Sequence, residues 1–232
     1  MLNFIFLVGR ILIDEKNFYS YIDSRLLYLL NQFGARIDSR NYEAVKNDII
    51  KNRKLVKDEI EELVIQICRA LMPTGYEKII LKYILPSIEF AQKHFLYPYN
   101  DAITTLEILS KNFKIGIIAS QKILRILEEY ELAKYFDCCI FSYEENREQG
   151  KEIFKSILNM LKKRSGESLL VGDRLDTHIQ TANMMGMITI RLTNSIFKLQ
   201  EATNENEIPN FTLNNLRELV NTSLISKPNQ VN

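Results

Sequence analysis

Five short apolar runs constrain the fold of this chain more than any other feature. Each holds four or five residues, is rich in Ile, Leu, Val or Phe, and shows no clean alternation with polar residues. The runs are FIFLV (Phe4–Val8), IGIIA (Ile115–Ala119), CCIF (Cys138–Phe141), SLLVG (Ser168–Gly172) and ITIRL (Ile188–Leu192). Strands that are apolar on both faces are typical of parallel sheets covered by helices on both sides. The runs therefore predict a buried parallel sheet.

The segments between the last four runs have helical periodicity. KILRILEEYELAKYF (residues 122–136) and EIFKSILNMLKKR (residues 152–164) place apolar residues at i, i+3, i+4 and i+7. THIQTANMMG (residues 177–186) has the pattern of a short helix that Gly186 can end. The alternation of strands and helices predicts an α/β fold with a doubly wound, Rossmann-like parallel sheet.

The chain between the first and second runs has a different pattern. Residues 15–96 contain several helical stretches and no strand-like run, which predicts a helical cap inserted over the carboxyl edge of the sheet, where such folds bind ligands. We therefore expect an α/β core from residues 1–14 and 97–222, a cap from residues 15–96, and a flexible tail at 223–232. Pro98 is expected to break the cap helix, and Asn100 or Asp101 to cap the next helix.

Composition excludes several classes of protein. The 232 residues are 46% apolar and 25% charged, as in globular proteins. A net charge of +1 gives no electrostatic reason to expect nucleic acid or a membrane as a partner. The three cysteines lack metal-ligand spacing, and the opening run is too short to span a bilayer and lacks the features of a signal peptide. The expectation is a cytoplasmic protein with reduced thiols.

The segment LLVGDRLDTHIQTANMMGMITIRL carries the residues best suited to chemistry. Asp173 directly follows an apolar strand, which places its carboxylate at the carboxyl edge of the sheet, where a metal or substrate would bind. Aspartate is also a favoured helix-capping residue, so a purely structural role for Asp173 stays open.

This segment resembles the fourth motif of the haloacid dehalogenase (HAD) superfamily, whose members are mostly phosphatases. FIFLVGRILID resembles the family's nucleophile strand, and NFKIGIIASQ resembles its second strand. FDCCIFSYEENREQGKEIFKSIL is similar to the segment with the family lysine, and IPNFTLNNLRELV to the closing element. The resemblance covers almost the whole chain and implies a HAD-like core with a helical cap.

The resemblance also implies that two catalytic aspartates are missing. Leu7 stands where the family has its nucleophilic aspartate, and Gly9 stands where it has its acid/base aspartate. Leucine has no lone pair with which to attack phosphorus, and glycine cannot transfer a proton. Arg10 replaces a family glycine in the same strand end.

Other motif positions are changed as well. The family's Ser/Thr position falls on Ala119 beside Ser120, and the lysine position falls on Glu148, three residues before Lys151. In the fourth motif Asp173 is kept, but the second acidic position is His178. Magnesium prefers oxygen ligands, so Asp173 is the only family ligand that remains, and no metal site is expected.

Two functions follow from this pattern. The first is a non-catalytic pseudoenzyme that binds or regulates, without a cofactor, with a small anion or a protein as its partner. The alternative is a divergent phosphatase-type hydrolase that uses repositioned residues, with Mg²⁺ as a cofactor in that case only. The candidates for its chemistry are Asp14, Asp173, Asp176 and His178.

The candidates for ligand binding are Arg10, Ser120, Lys151 and Asp173. The Arg10 guanidinium could stand in for the lost cation and pair with Asp173, or it could point from a loop into solvent. Pairing requires the guanidinium to lie within about 6 Å of Asp173, since a hydrogen-bonded contact is far shorter.

Overall fold

A computed structural model describes residues 4–52, 60–141, 152, 154–156, 158, 159, 162 and 164–222. The chain divides into two compact units. One is an α/β unit made of the chain before Asp14 and after Tyr97, and the other is a helical unit, Asp14–Tyr97. The tail predicted at 223–232 lies outside the described residues, and the role of the helical unit as a cap remains a prediction.

Six parallel strands form the sheet of the α/β unit, in the spatial order β5-β4-β1-β6-β7-β8. They are β1 (Phe4–Val8), β4 (Lys114–Ala119), β5 (Cys138–Phe141), β6 (Ser168–Gly172), β7 (Ile188–Leu192) and β8 (Phe211–Leu213). Two short strands, β2 (Ile13–Asp14) and β3 (Tyr97–Pro98), form a separate two-stranded sheet. The predicted doubly wound α/β fold is confirmed.

The strand order places a switch point beside β1. The chain builds outward from β1 through β4 to β5, then returns to the other side of β1 and continues through β6 to β8. In open parallel sheets, ligands bind beyond the carboxyl ends of the strands at such a point. The ends of β1 and β6 therefore define the region in which to look for a site.

Within the described ranges, the α/β unit has four helices with both ends defined: α5 (Ala102–Ser110), α6 (Gln121–Glu129), α7 (Gln180–Met184) and α8 (Leu216–Val220). In the helix predicted over residues 152–164, positions 152, 154–156, 158 and 159 are helical, and positions 153, 157, 160, 161 and 163 lie outside the described residues. One turn of π-helix, Leu175–Ile179, precedes α7. Short 3₁₀ turns cover Gly9–Leu12, Ala133–Tyr135, Ser165–Glu167, Ile196–Leu199 and Glu205–Glu207.

Two sequence predictions about helix ends need correction. The helix predicted over residues 122–136 ends at Glu129, because Glu131 adopts a left-handed φ of 58° and the chain then continues as a 3₁₀ turn. Asp101 holds the N-cap position of α5, but its carboxylate accepts a hydrogen bond from the Arg217 backbone N–H instead of capping that helix. Gly186, with a φ of 74°, lies just past the end of α7 as predicted.

The helical unit contains α1 (Lys16–Gln32), α2 (Ser39–Lys51), α3 (Ile60–Leu71) and α4 (Tyr76–His94). The buried face of α1 repeats every fourth residue, at Phe18, Ile22, Leu26 and Leu30, which is the spacing of one helix face. No helix within the described residues is long and apolar enough to cross a bilayer.

Candidate functional site

The ends of β1 and β6 bring the candidate residues together. These strands are parallel neighbours, with Leu7 opposite Val171, so both end at the same edge of the sheet. Arg10 lies in the 3₁₀ turn directly after β1, and Asp173 directly follows β6. The local sequence sets both positions, because each strand is an apolar run with a glycine at its end. β1 ends at Val8, just before Gly9, and β6 ends at Gly172.

Asp173 is the centre of the cluster. Its side chain is fully buried, with Oδ2 3.7 Å from Arg10 Nε and Oδ1 3.1 Å from His178 Nδ1. The first distance lies within the limit that the predicted pairing required. A buried carboxylate is costly unless cationic or hydrogen-bonding groups surround it. Arg10 supplies a cation at an ion-pair distance that is too long for a hydrogen bond, and the Arg10 side chain retains 10% exposure.

His178 is positioned by the π-helical turn and by a glycine. A Cβ atom on Gly172 would lie 2.8 Å from the His178 Cβ, so glycine allows the imidazole to lie against the end of β6. The Arg174 backbone N–H donates to His178 Nδ1 at 3.3 Å, a contact that uses the lone pair of Nδ1. Asp173 Oδ1 lies 3.1 Å from the same nitrogen, and a carboxylate at that distance is favourable only when Nδ1 carries the proton. The two contacts therefore favour different tautomers, and we assign the proton to Nδ1 because the full charge of the carboxylate outweighs the dipole of one N–H group. In the neutral ring, Nε2 is then the basic nitrogen.

Asp176 is held in a separate ion pair. Arg174 Nε and Nη2 donate to the two Asp176 carboxylate oxygens at 3.1 and 2.9 Å, and both side chains are buried. Gln200 fixes the same turn, since its Nε2 donates to Asp176 and its Oε1 accepts from the Leu175 N–H. The predicted candidate Asp176 therefore stabilises the turn that carries His178.

Phe197 joins the two arginines and was not predicted. The Arg10 and Arg174 guanidinium carbons lie 5.0 and 4.9 Å from the centre of the Phe197 ring. Arg191 donates to the Phe197 carbonyl at 2.8 Å. Cation–π contacts of this kind contribute about 0.5–2 kcal/mol each. No local sequence pattern identifies Phe197. The spacing of Arg174 and Asp176 in GDRLD, by contrast, could have indicated an ion pair within one turn.

The two positions of the missing aspartates are closed by packing. Leu7 is fully buried within the central strand. A Cβ atom at position 9 would lie 2.6 Å from Ala119 Cβ and 2.8 Å from Ile123 Cγ2, closer than side-chain atoms approach in proteins. Neither position is an open cavity, so chemistry at this edge depends on other residues.

The remaining candidates lie in other settings. Asp14 belongs to the helical unit, where its Oδ1 accepts a hydrogen bond from the Lys16 backbone N–H. Ser120 caps α6 by accepting from the Ile123 N–H at 3.4 Å. Lys151 and Glu148 lie outside the described residues. Ligand binding by Ser120 and Lys151 remains a prediction.

The residues around Asp173 do not fit a magnesium ion. Magnesium takes near-octahedral oxygen ligands, whereas the Asp173 oxygens face a guanidinium and an imidazole. The nearby Asp176 carboxylate is engaged by Arg174. Within the described ranges, no three His, Cys, Asp or Glu side chains form a group that could hold a metal ion.

Comparison with known proteins identifies relatives. The HAD-hydrolase-like family model matches residues 147–219. Glyceraldehyde 3-phosphate phosphatase from Methanocaldococcus jannaschii is 30% identical over 199 residues, which cover 81% of this chain and 81% of that relative. The protein of the same name from Methanopyrus kandleri is 30% identical over 135 residues, 54% of this chain. The match spans 56% of the Methanopyrus protein, little more than half its length.

Solved structures share the fold. The HAD-hydrolase YfnB from Bacillus subtilis, solved bound to magnesium, superposes with a TM-score of 0.61 over 97% of this chain and 99% of its own, at 15% identity. At that identity the likeness shows the fold alone.

The names of the two curated relatives contradict the expectation of a non-catalytic pseudoenzyme. That prediction was wrong: it rested on two missing aspartates, whereas a relative that matches 81% of this chain is named as a phosphatase. The edge of the sheet still carries a buried carboxylate in contact with a histidine and an arginine.

Proposed function

Because the chain belongs to the HAD-like hydrolase superfamily, we propose that it is a phosphatase-type hydrolase of a small phosphate monoester. The observation that carries the proposal is the match, over most of the chain, to a relative named as a phosphatase. Both curated relatives are named for glyceraldehyde 3-phosphate, so that compound is the first substrate to test. The partner in this proposal is a small anion, the phosphate ester itself.

His178 and Asp173 are the proposed proton-transfer pair. In this mechanism His178 Nε2 takes a proton from water as the water oxygen attacks phosphorus and the bond to the ester oxygen breaks. The imidazolium then returns the proton to the departing ester oxygen. Asp173, 3.1 Å from Nδ1, orients the ring and stabilises its charged form. No aspartyl intermediate forms, because leucine and glycine occupy the two family positions.

Arg10 is the proposed phosphate-binding residue. Its guanidinium lies beside Asp173 and the Phe197 ring, which limits its freedom. A planar guanidinium matches the geometry of phosphate oxygens and can stabilise charge that develops on them.

The proposal is tested by measuring phosphate release from an aryl phosphate and from glyceraldehyde 3-phosphate. His178→Gln should lower kcat/KM by about 10²- to 10⁴-fold, the usual contribution of general acid–base catalysis. Asp173→Asn should also lower it, because the amide loses the charge that stabilises the imidazolium. The chain has one other histidine, His94, at the end of α4, so His94→Gln is the matched control and should retain activity.

Two results would refute the mechanism. One is wild-type-like turnover in His178→Gln. The other is a phosphorylated enzyme trapped during turnover, because direct attack by water leaves no covalent intermediate.

A further inference from the structure

We infer that Arg10 replaces the divalent cation, so that the site binds a phosphate oxyanion without a metal ion. The identity of the anion rests on the proposed function, whereas the exclusion of the metal rests on geometry alone.

The first step concerns Asp173, the residue that a metal ion would need. Its Oδ2 lies 3.7 Å from Arg10 Nε, and its Oδ1 lies 3.1 Å from His178 Nδ1. The carboxylate is fully buried, so it cannot turn outward to meet an ion without a change in the surrounding packing. A divalent cation at Asp173 would lie beside the guanidinium, where like charges repel in a site with little water.

The second step concerns how Arg10 is held. Its guanidinium carbon lies 5.0 Å from the Phe197 ring centre, and the side chain is 10% exposed. Stacking on an aromatic ring and pairing with a carboxylate fix the plane of the guanidinium before any ligand binds. Because the guanidinium is already ordered, little further conformational entropy is lost when an oxyanion binds.

The third step concerns the second ligand position, which His178 occupies. An imidazole is a poor ligand for magnesium, which prefers oxygen. The carboxylate of the same turn, Asp176, accepts from Arg174 at 3.1 and 2.9 Å, so it is already engaged and does not supply the missing oxygen ligand. The residues at positions 10 and 178 therefore both favour the binding of an anion and disfavour the binding of a metal ion.

The test measures binding rather than turnover. Inorganic phosphate is titrated in EDTA, and Mg²⁺ is titrated separately, each by calorimetry and by the shift in Tm. The wild type should bind phosphate in EDTA and show no heat or Tm shift with Mg²⁺. Arg10→Gln should weaken phosphate binding at least tenfold, whereas Arg125→Gln, on the exposed face of α6, should bind like the wild type.

A second variant tests the same idea in reverse. Arg10→Gly combined with His178→Asp restores the family's residue types at these two positions, while Leu7 and Gly9 stay unchanged. The variant removes the guanidinium and offers two carboxylates, so it should gain Mg²⁺ binding that Asp173→Asn abolishes. If Arg10→Gln is unfolded by circular dichroism, this double variant and the wild-type titrations still decide the question.

Stoichiometric Mg²⁺ binding to the wild type that Asp173→Asn abolishes would overturn the inference, as would phosphate binding that requires Mg²⁺. A double variant that folds and gains no Mg²⁺ affinity would also count against it. Phosphate binding in EDTA without any hydrolysis would refute the proposed function while supporting this inference.

Discussion

Gly9→Ala tests whether packing has closed the position of the missing acid/base residue. The new Cβ atom would lie 2.6 Å from Ala119 Cβ and 2.8 Å from Ile123 Cγ2. Overpacking of this kind costs about 1–3 kcal/mol. In a chain of this size, each kcal/mol lowers Tm by about 2–4 °C. We therefore expect Gly9→Ala to lower Tm by about 2–12 °C, measured by circular dichroism or calorimetry.

Two further variants make this prediction specific. Gly166 also lies in a 3₁₀ turn, but a Cβ atom there would meet nothing within 4 Å, so Gly166→Ala should leave Tm almost unchanged. Ala119→Gly removes the 2.6 Å contact, and the double variant Gly9→Ala/Ala119→Gly should therefore be more stable than the sum of the two single changes. Equal Tm values for Gly9→Ala and Gly166→Ala would show that position 9 is not closed by packing.

Three other stability predictions follow from buried polar groups. Asp176→Ala leaves Arg174 buried without its carboxylate and should lower the free energy of unfolding by about 3–5 kcal/mol, while Arg174→Met/Asp176→Leu should recover much of that loss in urea denaturation. Burial raises the pKa of the Cys68 thiol from 9.0 to about 12. The thiol therefore ionises at a lower pH in the unfolded chain than in the folded one. Between these two pKa values the free energy of unfolding should fall by about 1.4 kcal/mol per pH unit. Cys68→Ala should remove this slope. Asp23→Asn weakens the half-buried pair with Lys46 and should cost about 1–3 kcal/mol by the same denaturation assay.

Local sequence was enough to predict the sheet and the position of Asp173. β1 and β6 are buried on both faces, so composition alone identifies them, and the residue after such a strand must lie at the carboxyl edge. The strand β8 was not identified, because it is three residues long and Phe211 is 38% exposed, which leaves no apolar run to recognise.

Contacts between distant segments could not be predicted in the same way. The closure of position 9 depends on Ala119 and Ile123, more than a hundred residues away in the chain. The contact of Arg10 with Phe197 depends on the path of the turn after β7. The spacing of apolar residues in the sequence does not predict that path. The prediction of inactivity was wrong for a related reason, because one motif shows which residues are missing but not what relatives of the whole chain do.

We propose that this chain hydrolyses a phosphate ester through His178 and Asp173. The most direct test is phosphate release from glyceraldehyde 3-phosphate by the wild type and Asp173→Asn, both in EDTA. We expect saturable phosphate release by the wild type and no such release by Asp173→Asn. No release above the buffer rate by the wild type, or equal release by both proteins, would contradict this proposal.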